Sequence, residues 1–151
     1  MIVLALDPGT TETGWVRYLN GSVLMSGVMS NDSMLFSLAE SSIVGADVVA
    51  IEWIESYGMP VGREVFETVR WIGRFQQAWR DPDAVLFIPR REVKVELCGS
   101  ARAKDANVRQ ALLDRVGAQG TKKSPGPTYG VKSHAWSALA VAVVASARLA
   151  A

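Results

Sequence analysis

The chain is predicted to be an α/β protein on a mixed five-stranded sheet, with elements in the order β-β-β-α-β-α-β-α. Three observations carry this. The first 30 residues hold β-prone runs punctuated by tight turns, with Asn20-Gly21 between two of them. Beyond them, stretches with helical apolar spacing alternate with short apolar runs such as Val48–Ile54. The C-terminal stretch AWSALAVAVVASARLAA is apolar nearly all round, as a helix buried in a core would be.

Ile2 to Leu6 forms the first strand, which ends at Asp7 because Pro8-Gly9-Thr10-Thr11 breaks it. Thr13 to Leu19 and Ser22 to Met29 are the second and third strands, joined as a hairpin. Asn31 or Asp32 caps a helix running to about Val44. Asp47 to Ile54 is a buried strand with Glu52 near its end. Val61 to Arg80 is a long helix, with Val65, Phe66, Val69, Ile72, Phe75 and Trp79 at helical spacing. Ala84 to Ile88 is the fifth strand, and Arg90 to Leu97 and Lys104 to Val116 read as helices. Gly117 to Tyr129 contains Gly120, Pro125, Gly126 and Pro127 and is a loop, before a last helix over Val131 to Leu149. No repeat, linker or low-complexity tract divides the chain, so residues 1–151 read as a single domain.

Net charge is +1, which by itself points to no acidic partner. Its distribution is uneven: from Arg90 to Lys132 there are ten Lys and Arg against four Asp and Glu, a local +6. Such asymmetry fits either a face for a polyanion or a solvated surface. The one cysteine, Cys98, cannot form an internal disulfide, which suits a reducing compartment. The opening MIVLALDPG lacks a signal peptide's basic start, and the apolar C-terminal stretch is shorter than the roughly 20 residues a membrane span needs. A cytoplasmic protein without a membrane partner is expected.

Three residues stand out chemically. Asp7 sits where a strand stops, the end at which α/β sheets bind ligands; it either caps the turn or binds a hard cation such as Mg²⁺. Glu52 lies within an apolar strand, where a charge must be paired, metal-bound or turned outward. His134, the only histidine, starts the last helix one turn before Ser137, so the two share a face. It either satisfies the helix start or joins the carboxylates. Together they outline a site where two divalent ions roughly 4 Å apart could drive phosphodiester hydrolysis.

Four segments carry a family resemblance. ALDPGTTETGW resembles the opening of RuvC-like Holliday junction resolvases, an Asp-Pro-Gly turn and then a Thr-Gly pair in the second strand. AIEWIESYGMPVGREVFETVRWIGRF resembles the family's glutamate strand and following helix, especially in its phage and prophage branch. GSARAKDANVRQALLDRVG resembles the basic helix, and KKSPGPTYGVKSHAWSALAVAV the last helix. The resemblance spans nearly the whole chain and implies a ribonuclease-H-like fold. It also implies a crossover junction endodeoxyribonuclease using Mg²⁺ or Mn²⁺, which acts as a homodimer on four-way junctions or related branched DNA, such as Y-forks or flaps. A phage-encoded copy would work in the host cytoplasm.

The family's four metal-binding positions fall on Asp7, Glu52, His134 and Ser137. The last is usually an aspartate, and a serine hydroxyl is a poor Mg²⁺ ligand. By the resemblance, Asp7 would bridge the ions, Glu52 and His134 would each complete one shell, and Ser137 would contribute weakly. Because a histidine titrates near neutral pH, His134 is also a candidate general acid or base. DNA contacts would come from Arg102, Lys104, Arg109, Lys122, Lys123 and Lys132, with Tyr57 or Met59 as a wedge between bases. The Val61–Arg80 helix is a candidate dimer element through Trp71 and Phe75, unless these are core. Two rivals remain: a weak or inactive branched-DNA-binding protein, motivated by Ser137, and an actin-like ATPase fragment, motivated by Asp7-Pro-Gly-Thr-Thr. The second lacks another phosphate loop and an adenosine pocket.

Overall fold

A computed structural model of the chain describes residues 1–40 and 45–151. Five strands form one sheet: β1 (Val3–Pro8), β2 (Glu12–Leu19), β3 (Ser22–Ser30), β4 (Val48–Trp53) and β5 (Leu86–Pro89). Their spatial order is β3-β2-β1-β4-β5. The first three pair antiparallel through tight turns, whereas β4 joins β1, and β5 joins β4, in parallel. This is the mixed five-stranded sheet expected from the sequence. The Asn20-Gly21 turn has both residues at positive φ, 47° and 88°, as a hairpin turn with right-handed strand twist demands.

Among the described residues the α-helices are α1 (Asn31–Ala39), α2 (Arg63–Ala78), α3 (Arg90–Cys98), α4 (Asp105–Val116) and α5 (Ala135–Ala150). Strand alternation sorts the core into two layers. Val3, Ala5, Val16 and Ala50 face α3, α4 and α5. Leu4, Leu6, Val49 and Ile51 face the other way, onto Met34, Leu38, Ile72 and Phe75 of α1 and α2. The small Ala5 and Ala50 meet a helix that buries Ala135, Ala138, Ala140, Ala142 and Ala145, so α5 lies close along the centre of the sheet. No helix among the described residues is long and apolar enough to cross a membrane.

Several expectations need correction. β1 does not stop before Asp7 but continues to Pro8, with Asp7 opposite Gly14 and Pro8 opposite Thr13 on β2. On its other side β1 pairs with β4 only from Val3 to Leu6, so the N–H that proline lacks is not needed there. The cap of α1 is Ser30, whose hydroxyl accepts from Ser33 N–H, and neither Asn31 nor Asp32 fills that role. This helix ends at Ala39, and the expected continuation over 41–44 lies outside the described residues. The last helix starts at Ala135, four residues later than Val131. Phe75 is fully buried, the core alternative that the sequence left open, and offers no dimer contact. The 117–130 loop carries structure of its own: Gly120 bridges Pro125, and Thr121 and Ser124 exchange backbone hydrogen bonds around Lys122-Lys123.

Candidate active site

Strand periodicity builds the site. Asp7 continues the face of Val3 and Ala5, and Glu52 continues that of Ala50, so both carboxylates project toward α5. The β1–β4 register runs through Leu6 opposite Ile51, and its next step sets Asp7 beside Glu52. Both side chains are largely buried, at 17% and 13% exposure.

The turn after Asp7 is pinned from an unexpected direction. Asn31, buried at the start of α1, accepts a hydrogen bond from the Thr13 hydroxyl at 2.6 Å and donates from Nδ2 to the Gly9 carbonyl at 3.0 Å. Its backbone N–H donates to Thr11 O at 2.9 Å. These bonds hold the 9–13 segment and leave the end of β1 rigid.

His134 arrives from the other side. Gly14 lies directly under the entry to α5, and a Cβ there would stand 2.4 Å from the His134 carbonyl carbon. The Thr-Gly pair of β2 is therefore a steric requirement for seating this helix. Ser133, at φ 49°, turns the chain just before it. His134 Nδ1 ends 3.2 Å from Asp7 Oδ2, and the Ser137 hydroxyl, one turn on, lies close enough to lower the pKa of the Asp7 carboxyl. All four predicted positions thus converge: Asp7, Glu52, His134 and Ser137.

The electrostatics are those of two acids forced together. Burial raises the Asp7 carboxyl to about 6, against the lowering influence of the neighbouring Glu52 carboxyl, the charge of Arg90 and the Ser137 hydroxyl. Burial and then the charge of Asp7 push Glu52 up to about 8, with Arg90 opposing. Ionising both carboxylates at once is therefore disfavoured, and a retained proton relieves it. When Glu52 is ionised, its Oε2 is buried without a partner. Two crowded carboxylates with an orphaned oxygen fit a hard divalent cation, whose charge would displace that proton. Asp7 and Glu52 are the carboxylates that could hold it, with His134 beside Asp7. Among the described residues no three His, Cys, Asp or Glu side chains form a ready-made cation cage.

One residue at the site was counted in the sequence only as surface charge. Arg90, the first residue of α3, follows directly on β5, whose Ile88 and Pro89 pair with Glu52 and Trp53. That places its Nε 4.0 Å from Glu52 Oε1, while its Nη2 donates to Asp105 Oδ1 at 2.6 Å. Arg90, Asp105, Arg109, Ser133, His134 and Ser137 line a cleft of about 240 Å³.

The predicted DNA contacts divide. Arg109 reaches this cleft, with its guanidinium 4.6 Å over the Trp136 ring. Tyr57 lines a second cleft with Arg90, Arg91, Lys94 and Ala101. Met59, Arg102, Lys104, Lys122, Lys123 and Lys132 are all solvent-exposed and line neither cleft. Lys122 and Lys123 stand at the hairpin tip, and Lys132 lies two residues before His134.

No protein-family model matches the chain, and no curated protein matches it in sequence. Solved structures do. The chain is similar to the Thermus thermophilus RuvC structure, with a TM-score of 0.70 and 20% identity over 99% of this chain and 97% of that one. It is also similar to T. thermophilus RuvC in complex with Holliday junction substrate, with a TM-score of 0.73 and 21% identity over 99% and 96%. The fold is the ribonuclease-H-like one: a mixed five-stranded sheet with flanking helices.

Proposed function

We propose that this chain is a metal-dependent, structure-selective DNA endonuclease that resolves Holliday junctions or related branched DNA. The observation that carries the proposal is the buried Asp7–Glu52 pair, set side by side at the ends of β1 and β4 with His134 against it. Two neighbours on the RuvC fold, one holding a Holliday junction, support the choice of substrate, as does the resemblance to the phage and prophage branch. In the same reading the 151 residues act as one nuclease domain in the cytoplasm. Homodimer formation accounts for Phe36 on α1 and Phe66 on α2, which are exposed at 64% and 65%.

Mg²⁺ or Mn²⁺, when bound, supplies positive charge at the scissile phosphate and a water of lowered pKa. The chain's own groups do the rest. Asp7 and Glu52 give up the retained proton and fix the reaction centre on a rigid sheet. Asn31 keeps the end of β1 in place, and His134 orients toward Asp7. The basic surface from α3 to Lys132 holds the phosphate backbone. Water oxygen forms the new P–O bond, the P–O bond to the leaving sugar breaks, and the leaving oxygen takes up a proton as water loses one.

The test is incubation with an end-labelled four-way junction, a Y-fork and a linear duplex, in Mg²⁺ and in Mn²⁺, with Asp7→Asn as control. Paired symmetric nicks in the junction, absent from the duplex and from Asp7→Asn, are expected. Ser137 favours a second reading, a junction-binding protein with little or no cutting. That reading predicts binding without nicks in either metal, and gain of cleavage in Ser137→Asp.

A further inference from the structure

We infer that Arg90 is a catalytic residue that supplies the second positive charge of this centre, so that each chain works with one bound divalent ion instead of two. The inference rests on the nuclease reading above and departs from the two-ion site expected from the sequence.

Three observations lead to it. The centre is short of negative charge, because the fourth expected ligand is the neutral Ser137 and only Asp7 and Glu52 are carboxylates among the four. Two dications about 4 Å apart repel strongly and need bridging anions to stay together. With two carboxylates, a neutral hydroxyl and an imidazole, the second dication is poorly compensated.

Next, a cation already stands there. The Arg90 side chain is only 24% exposed, and its charge acts on both carboxylates. Its attachments do not account for its position. Nε is 4.0 Å from Glu52, a loose contact, and Nη2 bonds Asp105, whose side chain is 85% exposed. Exposed pairs of that kind contribute little to stability.

Last, Nη1 of Arg90 is buried without any partner, as is Oε2 of Glu52. A buried donor without an acceptor costs free energy unless something binds it. Arg90 borders both the cleft of His134 and Ser137 and the cleft of Tyr57, Arg91 and Lys94. A DNA strand passing from Tyr57 to His134 would cross it. The guanidinium charge beside that path suits the negative charge that develops on the scissile phosphate.

The experiment has two readouts. Mn²⁺ binding to the DNA-free protein is counted by electron paramagnetic resonance and calorimetry. Single-turnover junction cleavage and junction affinity are measured in parallel. Wild type is expected to bind one ion per chain. Arg90→Met should bind Mn²⁺ at least about tenfold more tightly, as a competing charge is gone. It should also cut about 10²–10³-fold more slowly, with junction affinity changed less than about threefold. Arg90→Lys, which keeps the charge but not the fork, should keep the wild-type ion count and cut at an intermediate rate. Asp105→Asn, which removes only the exposed tether, should change cleavage less than Arg90→Met. Two site-bound ions in the wild type, or an Arg90→Met protein that is folded by its melting curve and cuts as wild type does, would overturn the role of Arg90. The ion count needs no DNA, so a wild type that cuts nothing would overturn the nuclease reading and with it the catalytic role of Arg90, while the count still decides between one ion and two.

Discussion

Replacing Gly14 with alanine isolates the contact that seats the last helix. The new Cβ would lie 2.4 Å from the His134 carbonyl carbon, 2.5 Å from its oxygen and 2.7 Å from its Cβ. Comfortable carbon contacts begin near 3.5 Å, so β2 and the start of α5 must part by about 1 Å. Backbone atoms form the obstacle, and no rotamer change relieves it. Overpacking of this kind costs about 1–3 kcal/mol. At roughly 2–4 °C per kcal/mol for a chain of this size, the melting temperature should fall by about 2–12 °C. The same shift carries His134 out of hydrogen-bond reach of Asp7, now 3.2 Å away. A displacement of about 1 Å at a reacting centre can cost on the order of 10²-fold in rate. Thermal melting and single-turnover junction cleavage read the two effects, and Gly73→Ala is the control. Gly73 sits in the exposed face of α2 with open space around it, so alanine there should stabilise slightly. A Gly14→Ala protein that melts and cuts like wild type would show that this contact does not seat α5.

Two other outcomes are expected. Asp7 and Glu52 have folded-state values near 6 and 8, above their ordinary 3.8 and 4.5, so the metal-free folded protein binds more protons than the unfolded chain across that range. Their contribution to stability is full below about pH 4 and is lost as pH rises through 6 and 8. Melting curves of the metal-free protein should therefore fall in temperature from pH 5 to 8, Glu52→Gln should flatten that fall, and Mg²⁺ should stabilise more at pH 8 than at pH 5. The double variant Lys122→Ala, Lys123→Ala should weaken junction binding in the DNA-binding assay and reduce the slope of log affinity against log salt by about 2, without changing which DNA is preferred.

The carboxylate pair was legible in the sequence because strand chemistry is local. A charge inside Val48–Ile54 and an aspartate before Pro-Gly both mark strand ends, and the parallel register then brings them together. His134 and Ser137 were legible as one helix turn. Arg90 was not, because in sequence it is one of ten cations between residues 90 and 132. Only the β4–β5 pairing, followed at once by the first turn of α3, sets it beside Glu52. The role of Asn31 is hidden in the sequence for a related reason. Next to Ser30 at a helix start it looks like a cap, but its partners Gly9 and Thr13 lie 22 and 18 residues away. Phe75 and Phe66 both fit the helical apolar pattern of α2, and periodicity could not tell that one is core and the other exposed. The three-dimensional path of α2 over Leu4, Leu6 and Ile51 decides that.

The claim at the centre of this account is that Asp7 and Glu52 form a cation site. It is tested most directly by anomalous scattering from crystals of the protein grown with saturating Mn²⁺ near pH 8. A peak within about 2.0–2.3 Å of carboxylate oxygens from both residues is expected. Density showing the two carboxylates in direct contact, with no anomalous peak between or beside them, would contradict it.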